Sequence, residues 1–556
     1  MIEQQFHLSL AQLNPILGDV KGNLAKAQEC YLEAGEVKSD ILLFPELFLS
    51  GYPPEDLVLR SAFIEDCHKA IDNLVAFTKT HQGPAIIIGT PWRDEEGLFN
   101  AVIVIDKGVI LGVSKKVDLP NYGVFDEKRV FDIPAHPGPI NIRGLRVGIP
   151  ICQDIWGEDI TECLAETGAE ILLVPNGSPF QKGKRDIRLN IAVQRVQETH
   201  LPLIYLNMIG GQDEILFDGG SFILNGDLSL THQLPQFEEQ LVHTHWQKGE
   251  SGEWHAIKGD VATELNSLEE IYHALMLGLK DYVRKNHFQH VVLGLSGGVD
   301  SALCAAIAVD ALGADKVHCV MLPYHYTAQE SLDDAADIAK RLDVRYDIIS
   351  IKEPVLAFQH NLSPLFQDMP SDITEENMQS RARGLILMAI SNKKGGLLLT
   401  TGNKSEVAVG YATLYGDMNG GFNPIKDIYK TEVYALCHWR NQHFHASFKG
   451  KKGEIIPPNI IIKAPTAELR EGQCDQDSLP PYDMLDDILK RLIEEKQSMK
   501  TIIAAGHDAH IVETIQHLVY ISEYKRRQSA LGIKISPVNF GKDRRYPITN
   551  QWRDKG

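Results

Sequence analysis

Before about residue 225 the chain alternates short apolar runs, rich in β-branched residues, with stretches of helical periodicity. The helical patterns include residues 23–35 and 186–200. The apolar runs predict buried strands at residues 41–44, 85–88, 101–105, 145–149, 171–174 and 203–206. This alternation predicts an α/β domain built in layers.

A polar stretch separates this region from a second pattern. Residues 224–258 are rich in Gln, His and Glu, which predicts closing strands and a linker. A helix is then expected from Asn266 or Ser267, because Ser267 and Glu270 have the spacing of a capping box. Apolar residues follow at helical spacing from Leu268 to Tyr282. We therefore expect one domain over residues 1–260 and another over 261–556.

The second half contains further strand-like runs at residues 290–293, 317–321 and 346–349. A helical pattern at residues 302–312 follows the first of them after a glycine-rich turn. Strand, turn, helix and strand again predict a doubly wound parallel sheet. Ligands of such sheets bind at the carboxyl ends of the strands.

Composition narrows the class of protein. The chain has 556 residues, of which 44% are hydrophobic, and this size predicts at least two globular domains. No apolar run approaches the ~20 residues of a membrane span, and residues 1–10 lack the basic start of a secretory signal. The 8 cysteines form no CxxC pair, which favours a reducing, cytoplasmic location. A net charge of −19 argues against a nucleic-acid or membrane partner.

The turn after the strand at 290–293 has the chemistry of a phosphate-binding loop. Its backbone N–H groups and the start of the next helix favour an anion. Ser296 and Ser301 add hydroxyl donors, and Asp300 can hold the Mg²⁺ that accompanies the phosphates. An ordinary glycine turn is the alternative, and the flanking serines and aspartate argue against it. We expect a polyphosphate to contact Gly294, Leu295, Ser296, Gly297, Gly298, Val299, Asp300 and Ser301.

The pattern S-G-G-x-D-S at 296–301 resembles the phosphate loop of the ATP pyrophosphatase family. It is not a Walker A loop, because it has no lysine and the wrong spacing. The resemblance implies an enzyme that splits ATP into AMP and pyrophosphate in order to adenylate a carboxylate or carbonyl oxygen.

Three reactive side chains follow predicted strands in the first half: Glu46, Lys116 and Cys152. A nearby cation activates a thiol, a carboxylate can accept its proton, and a lysine beside the Gln153 N–H can stabilise an oxyanion. Taken singly, a buried cysteine is more often inert core, and the two charged residues are more often solvated.

The phrases Phe-Pro-Glu, Lys-x-x-Leu-Pro and Ile-Cys-Gln-Asp around these three residues resemble the nitrilase (carbon–nitrogen hydrolase) family over about residues 6–224. The resemblance implies a four-layer α-β-β-α sandwich. It also implies that Glu46 is the general base, Lys116 stabilises the intermediate, Cys152 is the nucleophile and Glu127 is a supporting carboxylate. It places Tyr122, Ser178 and Lys184 against the substrate, although Arg185 could replace Lys184 there.

The order of the two halves resembles the glutamine-dependent NAD⁺ synthetase family over nearly the whole chain. Supporting phrases are Thr-Thr-Gly-Asn-Lys-Ser-Glu at 400–406 and Lys-Ala-Pro-Thr-Ala-Glu-Leu-Arg at 463–470. The resemblance implies that the first half hydrolyses glutamine and that its ammonia is channelled to deamido-NAD⁺ adenylated by the second half. The products are NAD⁺, AMP and pyrophosphate.

The same resemblance implies further roles in the second half. ATP would contact Thr401, Lys430 and Thr466; deamido-NAD⁺ would contact Asn377, Glu406 and Lys525; Asp300 and Glu406 would hold Mg²⁺. A surface position is the alternative for Lys430, and a solvated helix face is the alternative for Lys525. Relatives also imply a homo-oligomer, formed as a dimer through the synthetase half and extending to an octamer.

Three other functions stay open from the sequence. The chain could be an amidotransferase of the same phosphate-loop family with another acceptor. It could be a simple amide hydrolase with a nucleotide-binding appendix. It could also be a scaffold whose first half only binds glutamine, which the intact Glu46, Lys116 and Cys152 argue against.

Overall fold

A computed structural model describes residues 4–367 and 369–555 of the chain. The chain divides into two compact units, one ending at Leu265 and the other beginning at Asn266. Among the described residues, no helix has both the length and the apolar character needed to cross a membrane.

Within residues 4–265 the first unit contains two large β-sheets, a two-stranded sheet of Ile209–Gln212 and Ile215–Asp218, and four α-helices. Its strands are β1 Gln5–Gln12, β2 Ile41–Leu43, β3 Ala85–Arg93, β4 Leu98–Asp106, β5 Val109–Lys115, β6 Ile140–Ile142, β7 Leu145–Gly148, β8 Ile171–Asn176, β9 Leu203–Asn207, β10 Ile209–Gln212, β11 Ile215–Asp218, β12 Phe222–Leu224, β13 Leu230–Gln233, β14 Gln240–Lys248 and β15 Trp254–Ala256. Its helices are α1 Val20–Glu36, α2 Ser61–Thr80, α3 Asp159–Glu166 and α4 Lys184–Thr199.

The two large sheets pack face to face. One sheet has the order β15-β14-β1-β2-β3-β4-β5 and the other β13-β12-β9-β8-β7-β6. Apolar side chains of both, such as Leu10 and Ile204, form one buried cluster between them. The outer face of the first sheet packs on α1 and α2, and that of the second on α3 and α4. The result is the four-layer α-β-β-α sandwich that the resemblance to the nitrilase family implies.

About half of the polar stretch at 224–258 forms β-strands. Strand β14 pairs antiparallel with β1 along its length, from Gln5 opposite Gln247 to Gln12 opposite Gln240. Strand β15 pairs with β14 and completes that edge. Its half-buried polar residues explain why the sequence underestimates this strand, since β14 carries an alternating rather than an apolar pattern.

The second unit is built around a parallel four-stranded sheet. Its strands are β16 Val291–Gly294, β17 Val317–Met321, β18 Arg345–Ile348 and β19 Leu397–Leu399. Its helices are α5 Ser267–Lys285, α6 Val299–Leu312, α7 Gln329–Leu342, α8 Lys352–Phe366, α9 Ile373–Lys394, α10 Lys404–Val409, α11 Lys430–Gln442, α12 Pro458–Ile462, α13 Tyr482–Leu489, α14 Met499–Ala504, α15 Ala509–Ile521 and α16 Glu523–Arg526.

The strand order β18-β17-β16-β19 places a topological switch beside β16. The chain moves outward from β16 to β18 and then returns to pair β19 with the other side of β16. Ligands of doubly wound sheets bind outside the carboxyl ends of the strands at such a switch. The glycine-rich turn after β16 lies at this point.

One local prediction about this unit is wrong. The residue that caps α5 is Asn266, whose side-chain oxygen accepts the N–H of Glu269 at 3.1 Å. Ser267 is already the first helical residue, so Ser267 and Glu270 do not form the capping box expected from their spacing. Asparagine is as good an N-cap as serine, and its extended backbone fixes the start of the helix one residue earlier.

Candidate active sites

The first site forms where three chain segments leave their strands. Glu46 follows β2, Lys116 directly follows β5, and Cys152 follows β7. The Lys116 Nζ atom lies 2.7 Å from Glu46 Oε1, and neither side chain is exposed. Cys152 lies in the same buried place, where the charges of both residues act on its thiol. The structure therefore brings together the three residues that the sequence singles out.

A second carboxylate, that of Glu127, completes the group. Its Oε1 atom lies 2.9 Å from Lys116 Nζ and accepts the Tyr52 hydroxyl at 2.6 Å. The Asn100 side-chain amide donates to Glu46 Oε1 at 2.7 Å and to Glu127 Oε2 at 3.4 Å. The Lys116 ammonium thus lies between the carboxylates of Glu46 and Glu127, and the Asn100 amide also contacts both carboxylates. These contacts fix the orientation of the lysine and of both carboxylates.

Burial and neighbouring charge set the protonation of this group. Burial alone would lower the pKa of Lys116, but the carboxylates of Glu127 and Glu46 raise it above its usual value. Burial, followed by the charge of Glu46, raises the pKa of the Cys152 thiol, although Lys116 opposes this. The resting site therefore holds a charged lysine and a protonated thiol, with carboxylates beside them.

The backbone around Cys152 is unusual for a residue with a side chain. Cys152 has a φ of 47°, and it starts a 3₁₀ turn, Cys152–Ile155. A left-handed non-glycine residue costs about 1–3 kcal/mol and persists where surrounding contacts fix it. Across from this turn, the Gly177 N–H donates to Glu46 Oε2 at 2.8 Å, so the loop after β8 holds the carboxylate from its other side.

The expected glutamine contacts lie around this site. The Tyr122 hydroxyl donates to the Gln153 side chain at 2.9 Å, next to Cys152. Ser178 is buried directly after Gly177, and its hydroxyl accepts from Arg188 Nε at 3.0 Å. The Lys184 ammonium lies 5.8 Å from the ring centres of both Phe125 and Trp156.

Lys184 and Arg185 are in different situations. Arg185 forms an ion pair with Glu264, whereas Lys184 lies over aromatic rings that belong to the loops of the site.

Sequence reasoning missed several residues that hold this site. Asn100 could have been found, because it is a polar residue inside the nine-residue strand β4, every residue of which is buried. Arg188 could not, because its buried pairing with Asp218 at 2.8 Å depends on strand β11, far along the chain. Tyr52, Gly177 and Asp154 likewise gain their partners only through tertiary structure.

The second site is the turn between β16 and α6. Gly297 has a φ of 80°, and a Cβ atom there would lie 2.4 Å from the carbonyl oxygen of Ser331. The Ser296 and Ser301 hydroxyls lie 3.1 Å apart, and the Gly298 N–H donates to Ser296 Oγ at 3.2 Å. The N-terminus of the 14-residue helix α6 begins at Val299. The turn thus combines backbone N–H groups, hydroxyls and a helix N-terminus, as anion binding requires.

A cluster of charges lies beside this turn. The Lys430 ammonium contacts the carboxylates of Asp300 and, at 3.3 Å, Glu406, and Asn403 donates to Asp300 Oδ1 at 2.9 Å. Lys430 is only 2% exposed, so the surface alternative for this residue is wrong. Burial, opposed by Lys430, raises the pKa of Glu406 to about 8, and the charges of Asp300 and Asp475 add to the rise.

One cavity joins the turn to most of the other predicted contacts. Ser296, Gly298, Val299, Asp300, Ser301, Thr401, Glu406, Lys430, Thr466 and Lys525 line it. An adjoining cavity is lined by Gly294, Leu295, Ser296, Thr401 and Thr466. The Lys525 ammonium is half-buried and donates to the carbonyls of Gly410 and Ala412 at 2.8 and 2.7 Å, so it does not lie on a solvated helix face.

Asn377 differs from this set. Its side-chain oxygen accepts the Thr413 hydroxyl at 3.0 Å, and Thr413 belongs to the segment 410–418, several residues of which line the cavity. Asn377 therefore contacts the wall of the cavity rather than the turn.

Two family models match the chain, and each matched range lies within one of the two compact units. Residues 7–256 match the carbon-nitrogen hydrolase family, and residues 271–529 match the NAD synthase family. Fold and sites together define a ligase class that couples an amide-hydrolysing unit to a nucleotide-binding synthase unit.

Full-length relatives identify the family within that class. The chain is 51% identical over 551 residues to a glutamine-dependent NAD(+) synthetase of Rhodobacter capsulatus and 43% identical over 582 residues to one of Thermotoga maritima, in each case with 99% or more of the relative covered. The solved structure of the Acinetobacter baumannii enzyme in complex with ADP is 40% identical, with a TM-score of 0.77 and complete coverage of both chains. The chain belongs to the glutamine-dependent NAD⁺ synthetase family.

Proposed function

We propose that the chain makes NAD⁺ from deamido-NAD⁺, with glutamine as nitrogen donor and ATP as activating co-substrate. Residues 1–260 act as the glutaminase and residues 261–556 as the synthetase. The observation that carries this proposal is the buried group of Glu46, Lys116 and Cys152 in a chain whose other unit bears a phosphate-binding turn.

The glutaminase reaction follows from the first site. The Cys152 sulfur attacks the carboxamide carbon of glutamine while Glu46 accepts the thiol proton. Lys116 stabilises the negative oxygen of the tetrahedral intermediate. The carbon–nitrogen bond then breaks, Glu46 returns the proton to the departing ammonia, and a thioester remains on Cys152. Water activated by Glu46 hydrolyses the thioester and releases glutamate.

Substrate recognition is assigned to the residues around the thiol. Tyr122 contacts the side chain of Gln153, the residue after Cys152, and Ser178 follows Gly177, whose N–H donates to Glu46. Lys184 pairs with the α-carboxylate of glutamine, because its ammonium lies over the rings of Phe125 and Trp156, which belong to the loops around the site. Glu127 keeps Lys116 charged and in place.

The synthetase reaction follows from the second site. A carboxylate oxygen of deamido-NAD⁺ attacks the α-phosphorus of ATP, and pyrophosphate leaves. Ammonia then attacks the acyl carbon of the adenylate, and AMP leaves. Displacement at phosphorus requires charge neutralisation and positioning more than acid–base groups. The turn 294–301 holds the pyrophosphate, with Thr401, Lys430 and Thr466 as further ATP contacts. Asn377, Glu406 and Lys525 bind deamido-NAD⁺.

The carboxylates of Asp300 and Glu406 fit a magnesium ion. Both contact the same lysine Nζ atom, so they lie close together, and burial, with the charges of Asp300 and Asp475, raises the pKa of Glu406. Mg²⁺ binds through one or two carboxylates and completes its octahedron with phosphate oxygens and water. When bound, the ion would neutralise charge on the leaving pyrophosphate.

A single incubation tests the proposal. The protein is mixed with ATP, Mg²⁺, deamido-NAD⁺ and glutamine, and NAD⁺, AMP and glutamate are measured. Equal formation of NAD⁺ and AMP supports it. Glutamine hydrolysis whose rate does not change with ATP and deamido-NAD⁺ would support a simple amide hydrolase. If AMP forms only when another acceptor replaces deamido-NAD⁺, a different amidotransferase is supported.

We also propose that the protein is a cytoplasmic homo-oligomer, paired through the synthetase unit. Light scattering tests the oligomeric state.

A further inference from the structure

The carboxylate of Asp154 lies beside the glutaminase site and has no role in the reaction described above. Asp154 is two residues beyond Cys152, within the 3₁₀ turn Cys152–Ile155, and its side chain is completely buried. Its Oδ1 atom accepts the backbone N–H groups of Val117 at 3.0 Å and Asp118 at 2.7 Å. Its Oδ2 atom accepts the N–H of Ile151 at 2.8 Å.

These three donors flank two of the residues that do the chemistry. Val117 and Asp118 follow Lys116, which leaves β5 in the first sheet, whereas Ile151 precedes Cys152, which leaves β7 in the second. One planar carboxylate thus ties the two segments together across the sandwich. We propose that Asp154 is a positioning residue, which fixes the Cys152 sulfur relative to the Lys116 ammonium for attack on glutamine.

The backbone of Cys152 explains why such a tie is needed. Its φ of 47° is unfavourable for a residue with a side chain, so contacts around the turn must hold it. The bond from Ile151 to Asp154 closes the turn on itself, and the bonds from Val117 and Asp118 anchor it to the lysine segment. A displacement of about 1 Å between reacting groups can cost about 10²-fold in rate.

The arrangement also requires a carboxylate in particular. Both oxygen atoms of Asp154 accept, whereas an amide of the same shape offers one acceptor and one donor group. Asparagine can therefore satisfy either the Lys116 side or the Cys152 side, but not both. Burial raises the pKa of Asp154 to about 7, and the N–H groups of Asp118, Ile151 and Val117 oppose the rise because they stabilise the ionised form.

The test compares Asp154→Asn with a matched buried carboxylate in the same unit. Asp106 ends strand β4 and pairs with Arg143 at 2.8 Å, away from Cys152, so Asp106→Asn removes a similar interaction without touching the turn. For Asp154→Asn we expect kcat for glutamine hydrolysis to fall about 10²-fold with KM changed by less than about twofold. Ammonia-driven NAD⁺ synthesis serves as the internal reference and should be unchanged.

A chemical probe measures the thiol directly. The rate at which iodoacetamide alkylates Cys152 should change in Asp154→Asn and not in Asp106→Asn, because only the first alters the surroundings of the sulfur. Wild-type kcat in Asp154→Asn, or a loss that scales with the fall in Tm equally in both variants, would overturn the inference. If Asp154→Asn does not fold, Asp118→Pro removes one N–H donor at an exposed position and should lower kcat in the same direction; unchanged kcat there would also overturn it.

The inference rests on the proposed glutaminase role of Cys152, which has its own test. If Cys152→Ala keeps glutamine-driven synthesis, the proposed function fails, whatever Asp154→Asn does. If Cys152→Ala loses it and Asp154→Asn does not, only the positioning role fails.

Discussion

Lys116 and Glu46 form an ion pair with no solvent exposure, with 2.7 Å between Nζ and Oε1. Glu127 is bound to the same ammonium at 2.9 Å, so two carboxylates surround one cation. A thiolate at Cys152 would add negative charge to this buried group, so the thiol is protonated at rest. In the proposed reaction Glu46 removes its proton during attack.

This charge balance predicts the pH dependence of Cys152 alkylation. Burial and Glu46 raise the pKa of the thiol above its ordinary value, so the thiolate fraction is small at neutral pH and rises as the pH rises. The rate of iodoacetamide modification should therefore increase steadily from about pH 6 to about pH 9 without a plateau. Mass spectrometry of the Cys152 peptide measures it, and Cys152→Ala gives the contribution of the other cysteines. A plateau near neutral pH would mean a stabilised thiolate instead.

Loss of the nucleophile should separate the two nitrogen sources. Cys152→Ala removes the group that forms the thioester, so glutamine-driven NAD⁺ synthesis should fall by more than about 10³-fold. Ammonium chloride should still support synthesis at close to the wild-type rate, because the phosphate-binding turn belongs to the other unit. Steady-state assays with each nitrogen source measure the split. Equal loss with both sources would contradict two separate sites.

Removal of the Asp300 carboxylate should impair synthesis from both nitrogen sources and leave glutamine hydrolysis, which is the reverse of the result expected for Cys152→Ala. It lies in the first turn of α6 and contacts Lys430 within the cavity, where we place Mg²⁺. Asp300→Asn should reduce NAD⁺ formation from either nitrogen source by more than about 10²-fold, while glutamine hydrolysis persists. Asp315→Asn is the control, because that exposed carboxylate lies beyond the far end of the same helix. Unchanged synthesis in Asp300→Asn would remove this residue from the metal site.

Much of the fold could be predicted because its strands are short, apolar and flanked by clear helical patterns. Strand β17 matches the predicted range 317–321. The six strands predicted at 41–44, 85–88, 101–105, 145–149, 171–174 and 203–206 are found within three residues of their predicted starts, although β3 runs five residues further than predicted. Strand β14 is harder to predict from the sequence, because one of its faces is only half-buried and its polar residues are also typical of a linker. Edge pairing with β1, which decides its conformation, links residues more than 220 positions apart.

The residues of the candidate sites likewise include some that could be predicted from the sequence and others that could not. Glu46, Lys116 and Cys152 could be singled out because each lies within a few residues after a predicted strand, and the ends of such strands can converge on one rim. Their supporting residues could not, because the bonds of Asn100, Arg188 and Asp154 span segments that only the packed sheets bring together. Lys430 shows the same limit, since a lysine that starts a helix gives no sign in sequence of being buried between carboxylates.

The two adjacent glycines of the phosphate-binding turn should differ sharply in their tolerance of a methyl group. Gly297 has a φ of 80°, and its Cβ atom would meet the Ser331 backbone carbonyl at 2.4 Å, so Gly297→Ala combines a left-handed backbone with a clash that no side-chain movement relieves. Gly298 has a φ of −91°, and its Cβ atom would meet only the Ser296 hydroxyl, at 3.3 Å. Gly297→Ala should destabilise the synthetase unit by roughly 1–3 kcal/mol, and Gly298→Ala by distinctly less. Thermal unfolding of the ligand-free variants, followed by circular dichroism, gives the comparison. Equal melting temperatures for the two variants would show that the turn does not need its left-handed residue.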